Sequence, residues 1–85
     1  MNIYIGNLNY KLSESELEQV FTEFGEVSSV KIIKDKFTGK SKGFGFVEMP
    51  NSNEANVAIE ELDGAEVGGR NMRVNEARPK KNFEN

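Results

Sequence analysis

Cysteine and histidine are both absent from the chain. Without cysteine there are no disulfide staples and no thiol chemistry. Without histidine the usual general base is gone, and with both missing so are the common zinc sites. No apolar run approaches the ~18–20 residues of a membrane-spanning helix. The opening Met1-Asn2-Ile3-Tyr4-Ile5-Gly6 has neither a basic n-region nor a long apolar stretch, so no secretory signal is expected there. The lack of cysteine suits a reducing compartment, and a cytoplasmic location is the expectation. The chain carries no internal repeat and no low-complexity tract. No catalytic residue, metal ligand or cofactor is expected.

What remains is enough for one small domain. Of 85 residues, 36% are hydrophobic and 29% charged, which predicts a modest core under a charged surface rather than disorder. Eleven basic against fourteen acidic residues give a net charge of −3, an average that argues mildly against a nucleic-acid partner. Its distribution says the opposite. Residues 31–42 carry five lysines against Asp35, and residues 70–81 carry five basic residues against Glu76. The acids gather in two segments that read as helices.

Residues 2–6 alternate as a strand, with Ile3 and Ile5 on one face and Tyr4 on the other. Ser13 starts the first helix: Ser13 and Glu16 have capping-box spacing, and Leu12 and Leu17 occupy hydrophobic-staple positions. Leu17, Val20, Phe21 and Phe24 form one apolar stripe, and Gly25 is expected to stop the helix. Val27 to Lys34 reads as a second strand, with Val30 and Ile32 inward and Lys31 and Ile33 outward. A polar loop, 35–41, leads to a third strand from Lys42 to Met49, closed by Pro50. Asn51, Ser52 and Asn53 are N-cap candidates for a second helix that ends near Leu62 and buries Ala55, Ala58, Ile59 and Leu62. Gly68-Gly69 marks a turn, and Met72 to Ala77 is the last strand.

Strand, helix, strand, strand, helix, strand is the split βαβ order. It predicts an α+β, ferredoxin-like sandwich: a four-stranded antiparallel sheet with both helices on one face. The domain is expected over residues 1–78, with a short basic tail at 79–85. The geometry leaves the other sheet face open. On the third strand Lys42, Phe44, Phe46 and Glu48 point to that face, while Gly43, Gly45, Val47 and Met49 point to the helices. Tyr4 joins the two phenylalanines, with Lys31, Arg73 and Asn75 in reach. Exposed rings predict a partner. A second copy of the chain could cover them, but lysine is depleted from interface cores, so a monomer is expected.

Lys42-Gly43-Phe44-Gly45-Phe46-Val47-Glu48-Met49 resembles the octamer signature of the RNA-recognition motif family. Ile3-Tyr4-Ile5-Gly6-Asn7-Leu8 resembles that family's hexamer on the first strand. Within the family the chain is similar to small single-domain bacterial RNA-binding proteins, related to the cold-inducible glycine-rich group but without the glycine-rich tail. One position departs: the octamer ordinarily closes on Phe or Tyr, and here it closes on Met49, which faces inward.

The resemblance implies single-stranded RNA as partner, bound without catalysis in post-transcriptional control or RNA chaperoning. Tyr4 and Phe46 would each stack a base, Phe44 would pack between sugars, and Lys42 would pair with a phosphate. Asn75 and Arg78 stand where the family often reads base edges, while Lys31 and Arg73 flank the face. Single-stranded DNA fits the same rings. Gly43 and Gly45 are expected to leave room for the helices packing beneath them.

Other chemistries find less support. Gly39-Lys40-Ser41 resembles the end of a P-loop, but position 34 is lysine where that motif needs glycine. Glu60, Glu61 and Asp63 lack ligand spacing and read as a solvated helix face. The loop Gly6–Lys11 contains no arginine of the kind acylphosphatases use to cradle a phosphate. The runner-up is a protein-interaction module that uses the acidic first helix, with Glu14, Glu16, Glu18 and Glu23.

Overall fold

The computed structural model describes residues 1–77; Arg78 and the tail at 79–85 lie outside the described residues. The chain runs β1 (Asn2–Gly6), α1 (Glu14–Thr22), β2 (Ser29–Lys34), β3 (Ser41–Glu48), α2 (Ser52–Leu62), β4 (Glu66–Val67), β5 (Arg70–Asn71) and β6 (Arg73–Glu76). The four longer strands form one antiparallel sheet in the order β2-β3-β1-β6. This is the expected ferredoxin-like α+β architecture.

The alternation of side chains divides the sheet into two unlike faces. Ile3 and Ile5 of β1, Ile32 of β2, Val47 of β3 and Val74 of β6 are buried in one core with Leu17 and Phe21 of α1 and Ala55, Ala58 and Leu62 of α2. Each large apolar side chain so buried contributes about 1.5–3 kcal/mol. The opposite parity of the same strands has no helix over it.

Both helices begin where expected. Ser13 Oγ accepts from the Glu16 N–H at 3.1 Å, and Glu16 Oε1 accepts from the Ser13 N–H at 2.9 Å, which completes the capping box. Asn51 is the N-cap of α2, accepting from the Glu54 N–H at 3.0 Å. The C-terminus of α1 differs: it ends at Thr22, short of Gly25. The Phe24 and Gly25 N–H groups bond the carbonyls of Phe21 and Thr22, so a tighter three-residue turn closes the helix.

Carboxylates on α1 and just after α2 also cap one donor on each sheet edge. Glu14 Oε2 accepts from the Ile32 N–H on β2 at 2.9 Å, and Asp63 Oδ1 accepts from the Val74 N–H on β6 at 2.9 Å. An open edge would present unpaired donors to any passing strand. Asp63 is therefore a structural ligand of the last strand, not part of a purely solvated helix face.

The turn at Gly68-Gly69 lies where expected, but the short strands that flank it and the shorter last strand were not foreseen. Gly68 (φ +63°) and Gly69 (φ +86°) form the turn of a small hairpin, β4–β5, whose strands are too short to show a period. The last strand is shorter than Met72–Ala77, because Met72 exchanges hydrogen bonds with Gly64 and Ala65 instead of joining the sheet ladder. Met72 and Val74 are buried as expected.

The reason for the two β3 glycines also changes. From Ile32↔Gly45 to Lys34↔Ser41, β3 advances four positions while β2 advances two, so β3 bulges. Gly43 lies in the bulge at φ +85°, and a Cβ there would come within 2.8 Å of the Tyr10 ring. A Cβ on Gly45 would fall on the Lys31 carbonyl oxygen of the neighbouring strand. A loop and an adjacent strand, rather than the helices, demand these glycines.

Candidate nucleic-acid interface

One cross-strand row spans the uncovered face. Lys31 on β2 stands opposite Phe46 on β3, Phe46 opposite Tyr4 on β1, and Tyr4 opposite Asn75 on β6. Four of the residues singled out in the sequence thus lie in a single line. Phe44 follows two positions along β3 on the same face. Arg73 stands on β6 opposite Gly6 and is exposed.

The rings form a triangle. Tyr4 and Phe44 have centroids 6.0 Å apart at 36°, Tyr4 and Phe46 5.8 Å at 62°, and Phe44 and Phe46 6.3 Å at 88°. Such contacts add about 0.5–1.5 kcal/mol per pair and hold the rings in place without a ligand. They also shelter one another: Tyr4 and Phe44 are half-buried, while Phe46 keeps 37% of its surface exposed. Their different tilts suit separate flat groups on separate rings rather than one continuous stack.

Gly6 serves this cluster from below. A Cβ there would meet the Tyr4 hydroxyl at 2.7 Å and ring carbons at 3.1 Å, because the ring lies over the glycine. Lys42 stands in the bulge, at the end of the aromatic face. With Tyr4, Phe44, Tyr10 and Arg70 it lines a shallow groove of about 240 Å³. Glu48 is exposed at the other end of β3, so the positive potential lies at the Lys42 end.

Two of these groove residues, Tyr10 and Arg70, were not singled out in the sequence. The Arg70 guanidinium donates to Asn7 Oδ1 at 2.7 Å and lies 5.9 Å from the Tyr10 ring centroid, within cation–π range. Asn7 Nδ2 donates to the Asn71 carbonyl at 2.8 Å, and Asn9 Nδ2 to the Gly68 carbonyl at 2.6 Å. These bonds tie the β4–β5 hairpin to the loop after β1. Tyr10 is held on that loop with 64% of its surface exposed. An exposed aromatic in a loop has no periodicity to mark it; the asparagines at 7 and 9 were the available signal.

Asp35 is held in its ionised form by its own loop. Its carboxylate accepts from the N–H groups of Phe37 at 2.7 Å and Thr38 at 3.0 Å, and these bonds hold it below the ordinary carboxylate range. The nearby Lys42 cation acts in the same direction. The turn it organises presents Phe37, 91% exposed, at the tip of the β2–β3 loop. Among the described residues, no group of three or more acidic side chains is placed to hold a metal ion.

Comparison with known proteins agrees with the geometry. The family model described as RNA recognition motif matches residues 3–73. The RbpA protein of Synechocystis is 50% identical over 82 residues, covering 96% of this chain and 81% of that one. The chloroplastic RNA-binding protein CP31B of Arabidopsis thaliana is 48% identical over 75 residues, 88% of this chain and 26% of that protein. Among solved structures, the crystal structure of RNA-binding protein PG1 superposes with a TM-score of 0.89 at 50% identity, covering 94% of this chain and 99% of that one. One chain of a Sxl-lethal protein–RNA complex superposes with a TM-score of 0.88 at 29% identity, over 92% of this chain and 47% of that one. By sequence and by fold, this chain belongs to the RNA recognition motif family.

Proposed function

We propose that the chain binds single-stranded RNA on the open sheet face and catalyses no reaction. The observation that carries this reading is the row Lys31–Phe46–Tyr4–Asn75 with Phe44 beside it: three pre-positioned rings flanked by cations on a face no helix covers. Single-stranded bases have π-faces that stack on such rings, and their phosphates seek the lysines. Tyr4 and Phe46 each take a base, Phe44 packs against the sugars, and Lys42 and Arg73 meet phosphates. Asn75 reads a base edge from β6. The Sxl-lethal complex and the Rna15 domain with bound RNA supply family precedent for RNA as the partner.

Stacking contributes ~1–3 kcal/mol per base. Two or three bases give roughly 2–9 kcal/mol, against an association cost of ~4–15 kcal/mol. Phosphate contacts supply the difference, and the dissociation constant falls around micromolar or above. The domain is taken as residues 1–78 and as a monomer, since lysines rim the rings. The absence of cysteine supports a cytoplasmic setting.

The reading with acidic helices as a protein-docking face has less to draw on. Four of the eight helix-associated carboxylates, on Glu14, Glu16, Glu54 and Asp63, are engaged in hydrogen bonds that hold the fold. The deciding experiment is a fluorescence-anisotropy titration of labelled single-stranded RNA with wild type and with Phe44→Ala/Phe46→Ala. Loss of binding in a variant that still unfolds cooperatively supports the reading; unchanged affinity overturns it.

A further inference from the structure

The aromatic face does not end at Lys42. A second and larger groove, about 780 Å³, opens between the loop after β1 and the β2–β3 loop. Its size falls within the ~300–1,000 Å³ usual for ligand clefts. Tyr10 and Lys11 line one wall; Lys34, Asp35, Lys40 and Lys42 line the other. Tyr10 and Lys42 belong to both grooves, so the two meet at that pair of side chains.

We propose that this groove continues the RNA path: a single strand leaving the sheet face stacks a further base on Tyr10 and runs its phosphates between Lys11 and Lys34, Lys40 and Lys42. The inference rests on the sheet-face reading above and extends its site.

Three observations support it. First, Tyr10 is built to present a ring. It is strongly exposed, Gly43 packs against its ring at φ +85°, where a side chain would be strained, and Arg70 stands 5.9 Å from its centroid. Arg70 is itself fixed by Asn7, and Asn7 by Asn71, so the ring's surroundings are set before any ligand arrives. Second, the groove's charge is one-sided. Four lysines face one carboxylate, and that carboxylate, Asp35, already accepts from two backbone N–H groups. Third, Lys42 lies in the irregular stretch of β3 and lines both grooves, so one cation stands at the junction between them. An aromatic platform followed by a cationic channel is what a sequence-tolerant single-strand binder uses.

The test compares random-sequence single-stranded RNA pools of about four and about ten nucleotides. Wild type should bind the longer pool about 5- to 150-fold more tightly, the worth of one stacked base. Tyr10→Ala should cut that length advantage to the share the lysines supply; Tyr10→Phe, which keeps the ring, should retain it. Lys11→Ser/Lys40→Ser should flatten the salt dependence for the longer pool by about 0.7–1.4 in log–log slope. Equal affinity of wild type for the two pools overturns the proposal. So does a length advantage that Tyr10→Ala leaves undiminished. Neither result touches the sheet-face reading, which fails separately if Phe44→Ala/Phe46→Ala still binds the short pool at full strength.

Discussion

Gly6 lies directly beneath the ring of Tyr4, and a Cβ on Gly6 would meet the Tyr4 hydroxyl at 2.7 Å. The glycine therefore acts on the surface above it rather than on the core. The obstructing atoms are the far end of one side chain, which can rotate away. Gly6→Ala should lower the unfolding midpoint by no more than about 4–8 °C, because the cost to the fold is about 1 kcal/mol or less. RNA affinity should fall about 5- to 150-fold, as if one stacked base were lost. An alanine variant that binds as wild type would show that the position of the Tyr4 ring over Gly6 does not matter.

Gly45 gives the contrasting case. There the obstructing atom is the Lys31 carbonyl oxygen in the next strand, and a backbone cannot swing aside. Gly45→Ala should push β2 from β3 and destabilise the domain by about 1–3 kcal/mol, read as a lower midpoint in urea. The Phe46 and Lys31 amide resonances should move together, since the two residues are cross-strand partners.

How much of this was legible beforehand follows from which features carry a period. The inward and outward sets of β1 and β3 and the Ser13 and Asn51 caps could be read because alternation and capping are local rules of sequence. The line Lys31–Phe46–Tyr4–Asn75 needed strand order and register, which no local window holds; only its membership could be guessed. Tyr10, Arg70 and the β4–β5 hairpin were missed because strands of two residues and a ring in a loop leave no pattern. The acids of α1 and α2 looked uniformly solvated, and only the fold distinguishes Glu14 and Asp63, which reach the sheet edges, from Glu18 and Glu60, which are exposed on their helices.

The salt dependence of binding should report how many phosphates are neutralised. Two or three contacts on the sheet face give a log–log slope of about −1.4 to −2.1 for a short single strand. Lys42→Gln should reduce that slope by about 0.7 and weaken binding similarly across sequences, because a phosphate contact carries no base identity. Asn75→Ala should do the reverse, altering which sequences are preferred while the slope stays fixed. Interchanged effects in the two variants would mean their roles have been assigned the wrong way round.

Asp63 should matter for stability far more than its exposure suggests. Asp63→Ala removes the acceptor for the Val74 N–H, a donor on a residue with no exposed surface. Leaving that partly buried donor unpaired costs about 1–3 kcal/mol. Asp63→Asn, which keeps the side-chain oxygen, should recover most of the loss. Hydrogen exchange at Val74 offers the local readout: faster in the alanine variant, near wild type in the asparagine variant.

Asp35 sets the pH response of the β2–β3 loop. Its carboxyl is held below the ordinary range by the Phe37 and Thr38 N–H groups, so its stabilising contribution is fully present above the unfolded value of about 3.9. That contribution is lost as pH falls through the lower folded value, because protonation weakens the carboxylate as an acceptor for both donors. The Phe37 and Thr38 amide resonances should therefore titrate together with a midpoint below the ordinary aspartate value. Asp35→Asn should abolish that titration and leave both amides insensitive to acid. A midpoint at or above about 3.9 would show that the two hydrogen bonds do not favour the ionised carboxylate, and the loop that presents Phe37 and lines the lysine groove would then owe its shape to something other than Asp35.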